Sequence, residues 1–212
     1  MNCPVRKGGS LLRDILLLIK KDLTVEARAR YAMTAAVSFA LCAVFMESVS
    51  LGGVQSSSKM HSAILWLTIF FATIQIVSHI FIREGEEGTE MILRVRFLPR
   101  DIFVSKFICS LVLVIPVAAS AAVGYLFFFS VTVKSPAVFS LLMLSGLCAI
   151  AGASTLPAML ASRARGKGSL AALLAIPSVL PALIVLVRGT SNTISLTGVA
   201  FSDVIFLTAY GL

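Results

Sequence analysis

Five stretches of about twenty apolar residues, joined by short polar connections, leave this chain only one medium to fold in. They run from about Tyr31 to Val49, Ser62 to Ile82, Phe107 to Ser130, Ala137 to Leu160 and Leu170 to Val187. Twenty residues at 1.5 Å each cover the roughly 30 Å of a bilayer's hydrocarbon core. A soluble domain needs a polar shell, which a chain that is 58% hydrophobic and 13% charged cannot supply. The expected fold is all-α, a polytopic transmembrane bundle of about six spans forming a single membrane domain over residues 1–212. The sixth run begins near Thr197, extends for only about fifteen residues and contains Asp203. It is expected as a short span or as a half-inserted hairpin.

The net charge of +8 is distributed unevenly. Arg6, Lys7, Arg13, Lys20, Lys21, Arg28 and Arg30 precede the first span, and Arg83, Arg94, Arg96, Arg100 and Lys106 lie between the second and third. Arg163, Arg165 and Lys167 lie between the fourth and fifth, so fifteen of the eighteen basic residues fall on one side. Only Lys59, Lys134 and Arg188 fall on the other. Lys and Arg are retained in cytoplasmic loops, so the amino terminus is expected in the cytoplasm. Cations scattered over short loops without an aromatic platform disfavour nucleic acid as a partner. No cleavable leader is expected, because Arg13, Asp14, Lys20 and Lys21 interrupt the first apolar stretch.

Residues 10–30 read as an interfacial amphipathic helix. Leu11, Leu12, Ile15, Leu16, Ile19 and Leu23 share one face, with Arg13, Lys20, Lys21, Thr24 and Arg28 opposite and Leu17 and Asp22 as exceptions. Such a helix lies along a membrane surface, its cations near anionic headgroups.

The connection over residues 83–106 is the least lipid-like part of the chain. Glu84, Glu86, Glu87 and Glu90 lie between two spans on the expected cytoplasmic side. Gly85 and Gly88 would let the chain turn away from the second span, Thr89 would cap a short helix, and Pro99 would end it. A short helix across the base of two spans can carry force from a soluble partner into the bundle; the plainer reading is a solvated, self-neutralising loop. Paired-carboxylate catalysis fits poorly, since a loop offers no pocket to separate two carboxyl pKa values.

Other residue types limit the chemistry further. His61 and His79 are 18 positions apart on the second span, about 27 Å along a helix, and cannot share a metal. Each is a candidate for a polar contact with a neighbouring helix or for haem ligation. Cys3, Cys42, Cys109 and Cys148 form neither CxxC nor CxxCH, so no metal site or covalent haem is expected. Pro116, Pro157, Pro177 and Pro181 mark where spans can kink. Residues Ala164–Ser169 fail as a phosphate loop, because Gly166-Lys167 is followed by glycine and the earlier glycine is missing. Any ATP must therefore be bound by another subunit.

Four segments together resemble the ABC-2-like permease subunits and, more narrowly, the cytochrome c maturation permeases of the CcmB (haem exporter protein B) family. They are Lys20–Arg30, the acidic Arg83–Glu90 with Pro99-Arg100 and Lys106 downstream, the basic Arg163–Ser169, and Ile176–Ile184 with its paired prolines. Arg94 and Arg96 stand where the family is mostly apolar. The resemblance implies six spans in the inner membrane and a non-enzymatic subunit whose coupling loop includes Glu84, Glu86, Glu87, Gly88, Thr89, Glu90 and Arg94. It makes Arg163, Arg165 and Lys167 a second cytoplasmic loop. It further implies a CcmA-like ATP-binding partner, CcmC- and CcmD-like membrane subunits, and haem as a relayed or exported ligand rather than a resident cofactor. An ABC-2 permease for a lipid, drug or glycan, and a membrane assembly or anchoring protein, are the alternatives left open by the residues.

Overall fold

A computed structural model describes residues 11–29, 31–51, 57–86, 97–129, 135–161, 167–195 and 201–211. They form the helices α1 (Leu11–Ala29), α2 (Tyr31–Leu51), α3 (Ser58–Glu86), α4 (Pro99–Phe129), α5 (Pro136–Ala161), α6 (Lys167–Ser195) and α7 (Phe201–Gly211), with no strand among the described residues. Helices α2 to α6 are each long and apolar enough to cross a bilayer. In lipid a helix satisfies its own backbone groups, which is why near-continuous apolar runs resolve into helices. Short connections make consecutive spans antiparallel. The end of α3 and the start of α4 therefore lie together with α1 at one end of the bundle, called here the α1 end. The end of α2, the start of α3 and the end of α4 meet at the far end.

Close packing substitutes for the hydrophobic drive that lipid does not provide. The most extensive contact is between α5 and α6, followed by α3 against α6 and α2 against α4. Ala32, Ala36, Ala40 and Val44 recur every fourth residue and form the buried stripe of α2. Trp66 of α3 is fully buried, and its ring lies so close to Gly146 of α5 that a Cβ there would collide with both Trp66 and Leu186 of α6. Trp66 Nε1 donates to Thr190 Oγ1 of α6 at 2.8 Å.

Several boundaries differ from the expectation. Helix α3 does not turn at Gly85 but continues to Glu86, so Glu84 and Glu86 belong to its last turn rather than to a separate short helix. Glycine permits a turn without requiring one, at a helical cost of about 1 kcal/mol against alanine. Pro99 is the first residue of α4, with the Asp101 amide donating to Leu98 O at 3.0 Å, and the short helix expected before it falls on residues 87–96, outside the described residues. Proline suits a first helical turn, where its missing donor is not needed. Lys167 is likewise the first residue of α6, not part of a loop, and α6 runs on through Arg188 to Ser195. Helix α7 has 11 described residues and packs mainly on α5. A Cβ on its Gly211 would lie 2.7 Å from the Cys148 carbonyl oxygen, so backbone meets backbone there.

The prolines sit inside unbroken helices: Pro116 in α4, Pro157 in α5, Pro177 and Pro181 in α6. Pro157 removes the donor that would serve the Ala153 carbonyl. Ser178 Oγ of α6 donates to that carbonyl at 2.9 Å. Tyr210 OH of α7 in turn donates to the Ser178 carbonyl. Ser178→Ala is expected to destabilise the bundle by only about 0.6 kcal/mol, the usual size of a polar contact in a membrane. Thermal unfolding of the purified protein checks that figure.

Helix α1 also departs from its simple amphipathic reading. Leu16 and Leu17 are exposed, whereas Leu18 and Glu26 are buried. The face carrying Leu18, Asp22 and Glu26 points into the protein, and α1 packs chiefly on α4. Asp22 is drawn inward by a lysine of α4 described next, which the apolar stripe alone does not reveal.

Candidate functional site

Two polar regions stand out, one at each end of the bundle. At the α1 end, Lys106 of α4 is only 3% exposed and its Nζ lies 2.9 Å from Asp22 Oδ2 of α1. Lys21 lies 3.5 Å from the other oxygen of the same carboxylate. One turn further along α1, Glu26 Oε1 stands 3.8 Å from His79 Nδ1 of α3. At that separation the contact is not a hydrogen bond, and it becomes an ion pair only when the imidazole is protonated. Asp101 is buried in the first turn of α4, where a carboxylate favours the helix dipole, and Arg100 Nε lies 3.4 Å from it.

These contacts tie α1 to the end of α3 and the start of α4, the two helices joined by the acidic connection. Glu84 and Glu86 close α3 within this unit. Glu87, Gly88, Thr89, Glu90 and Arg94 lie outside the described residues, as do Arg163 and Arg165. Lys167 starts α6 at the same end. A displacement applied between α3 and α4 would be shared with α1, because charged pairs taken out of water resist separation.

Beside this unit, a groove of about 250 Å³ is lined by Phe103 of α4, Leu156, Pro157 and Leu160 of α5, and Ser178 and Tyr210. It is predominantly apolar, and the Ser178 and Tyr210 hydroxyls in it are already engaged.

At the far end, three helices bring polar side chains together. Glu47 of α2 accepts from Thr68 Oγ1 of α3 at 2.7 Å. His61 of α3 hydrogen-bonds through Nδ1 to the Tyr125 hydroxyl of α4. Phe129 stacks on Tyr125 with centroids 4.4 Å apart and meets His61 edge-on at 5.2 Å. The two histidines thus occupy opposite ends of α3. Among the described residues no group of three or more His, Cys, Asp or Glu side chains could hold a metal ion. Cys42, Cys109 and Cys148 form no disulfide with one another.

The sequence reasoning did not single out Glu47, Glu26 or the Asp22–Lys106 pair as site residues. A lone carboxylate late in an apolar run was a usable signal for Glu47, since such residues are costly in lipid. Nothing local to Asp22 identified Lys106 as its partner.

This architecture, five apolar spans with an acidic connection and an amino-terminal helix packed on them, defines a polytopic helical membrane protein. The chain belongs to the CcmB protein family, whose model matches residues 13–208, nearly its whole length. It is accordingly a membrane permease subunit of the haem exporter for cytochrome c maturation. No curated protein and no solved structure matches the chain.

Proposed function

We propose that this chain converts ATP hydrolysis in a separate CcmA-like subunit into movement of its membrane helices, in a complex with CcmC- and CcmD-like membrane subunits. The observation that carries the reading is the clamp of α1 onto α3 and α4 through Asp22–Lys106 and Glu26–His79. The acidic connection over residues 83–106 is the handle, with Glu84 and Glu86 on the last turn of α3 presenting it. Closure of an ATPase dimer against this handle would shift α3, α4 and α1 as one near-rigid body. The second basic segment, Arg163 and Arg165 with Lys167 at the start of α6, would give the motor a further contact.

In this reading the α1 end faces the cytoplasm, as the basic residues require, and the membrane is the inner membrane of the cell. The chain is a transport subunit and not a catalyst. Haem is the cargo of the complex, exported as such or released on a haem-loaded chaperone. His61 and His79 serve as polar contacts between helices, and no residue of this chain is assigned to haem coordination. Family membership favours this pathway over a lipid, drug or glycan substrate and over a purely anchoring role.

Reversing charge at Glu84, Glu86 and Glu87 together is expected to abolish co-purification of the ATPase subunit while the bundle still folds. The paired readout is covalent c-type haem in a strain that depends on the variant. An unchanged complex with unchanged ATPase turnover would remove the handle from the account.

A further inference from the structure

At the α1 end, the contact between Glu26 and His79 is incomplete as it stands. His79 Nδ1 is sealed from water and has no hydrogen-bond partner. Glu26 Oε1 stands 3.8 Å from it, and the Glu26 side chain is only 7% exposed. A buried polar atom without a bond is costly, and here a carboxylate sits just beyond bonding distance. The His79 side chain is itself 34% exposed and lies at the end of the membrane-crossing part of α3, so the rest of its ring opens to water at the α1 end.

We propose that Glu26 and His79 form a proton-operated latch: a proton taken up by His79 from water at the α1 end fastens α1 to α3, and its loss unfastens them. A neutral imidazole donates from one nitrogen and accepts at the other, whereas an imidazolium donates from both. Protonated His79 therefore offers Glu26 a hydrogen on Nδ1 together with a full charge. Charge-assisted bonds of this kind settle at about 2.7–2.9 Å, so closing the latch takes up about 1 Å between the two helices. The attraction exists only for the cation. The latch thus tightens as pH falls and slackens as pH rises, in the range where imidazole chemistry operates. Helix α1 packs chiefly on α4, and this pair is where its acidic face reaches α3.

Other charged groups at this end have partners or positions of their own. On α1, Asp22 precedes Glu26 by one turn and is held by Lys106 of α4 and by Lys21. On α4, Asp101 lies beside Arg100. Helix α6 contributes Lys167 at its first residue, and on α3 itself Arg83, Glu84 and Glu86 follow His79 toward the helix end. Helices α2 and α5 also pack on α3; at this end α2 carries only the exposed Tyr31 phenol as a titratable group and α5 carries none. The effect of the latch on force transfer rests on the proposed coupling, because α1 is part of the body that moves. The latch itself needs no ATPase, so either can fail without the other.

The test uses the full chain in lipid nanodiscs, with no ATPase present, and measures amide hydrogen exchange along α1 at about pH 5.5 and about pH 8. The unaltered chain is compared with His79→Gln and with Glu26→Gln at each pH, so that the pH dependence of the exchange chemistry cancels. Amides of α1 are expected to exchange about fivefold more slowly in the unaltered chain than in either variant at the lower pH, the effect of an ion pair partly in water. At the higher pH the three should exchange alike. The unaltered chain alone, corrected for chemical exchange, should show α1 protection falling as pH rises, which keeps the test valid if a variant fails to fold. A difference of equal size at both pH values would make the pair a fixed packing contact and overturn the latch. Protection of α1 that does not change with pH, or a pH response that persists in His79→Gln, would overturn it too.

Discussion

Replacing Lys106 with methionine is expected to loosen α1 on the bundle and to cost about 3 kcal/mol, in the range for removing one partner of a buried ion pair. The ammonium is 3% exposed and its partner Asp22 is 9% exposed, so the remaining carboxylate cannot fall back on bulk water. Lys21, at 3.5 Å and more exposed, compensates only in part. A lower unfolding temperature and faster tryptic cleavage within α1 are the direct signs. Because α1 also packs along α4, the helix should loosen rather than detach. Exchanging the charges, Asp22→Lys with Lys106→Asp, should recover more than half of the loss, as expected when two residues act as one unit. A double variant no more stable than the single ones would show that Lys106 acts through packing alone.

The second large effect is expected at Trp66. Truncation to alanine removes a fully buried ring at the junction of α3, α5 and α6, together with the donor to Thr190. Aromatic-to-alanine changes in a core cost about 3–5 kcal/mol, and the lower figure applies where lipid, not water, surrounds the helices. Gly146→Leu alone should also be destabilising, because a Cβ there meets Trp66 and Leu186. Combined with Trp66→Ala, the leucine enters the vacated space, and the pair should be more stable than Trp66→Ala alone. Thermal unfolding of the two single variants and the double one measures that sign. Additive losses would mean that the two residues do not share a packing site.

Run length and loop charge made the spans legible. All five apolar stretches fall in helices, since backbone in lipid has few alternatives to a helix. Where water begins, that constraint ends, and the boundaries moved: α3 ran past Gly85, Pro99 opened a helix, and α6 absorbed Lys167 and Arg188. The candidate site was legible at the level of the acidic connection and not at the level of its supports. Asp22 and Lys106 are far apart in the chain and meet only because α1 lies against α4. The role of Ser178 in serving the carbonyl freed by Pro157 depends on α5 and α6 lying side by side, which no local pattern encodes.

The account rests most heavily on which side of the membrane the acidic connection faces. Thr89→Cys in a background lacking the four native cysteines, probed with a membrane-impermeant maleimide, measures that directly. Labelling in inverted vesicles but not in intact spheroplasts is the result expected here. Labelling in intact spheroplasts alone would place the connection beyond the reach of any cytoplasmic ATPase and contradict the account.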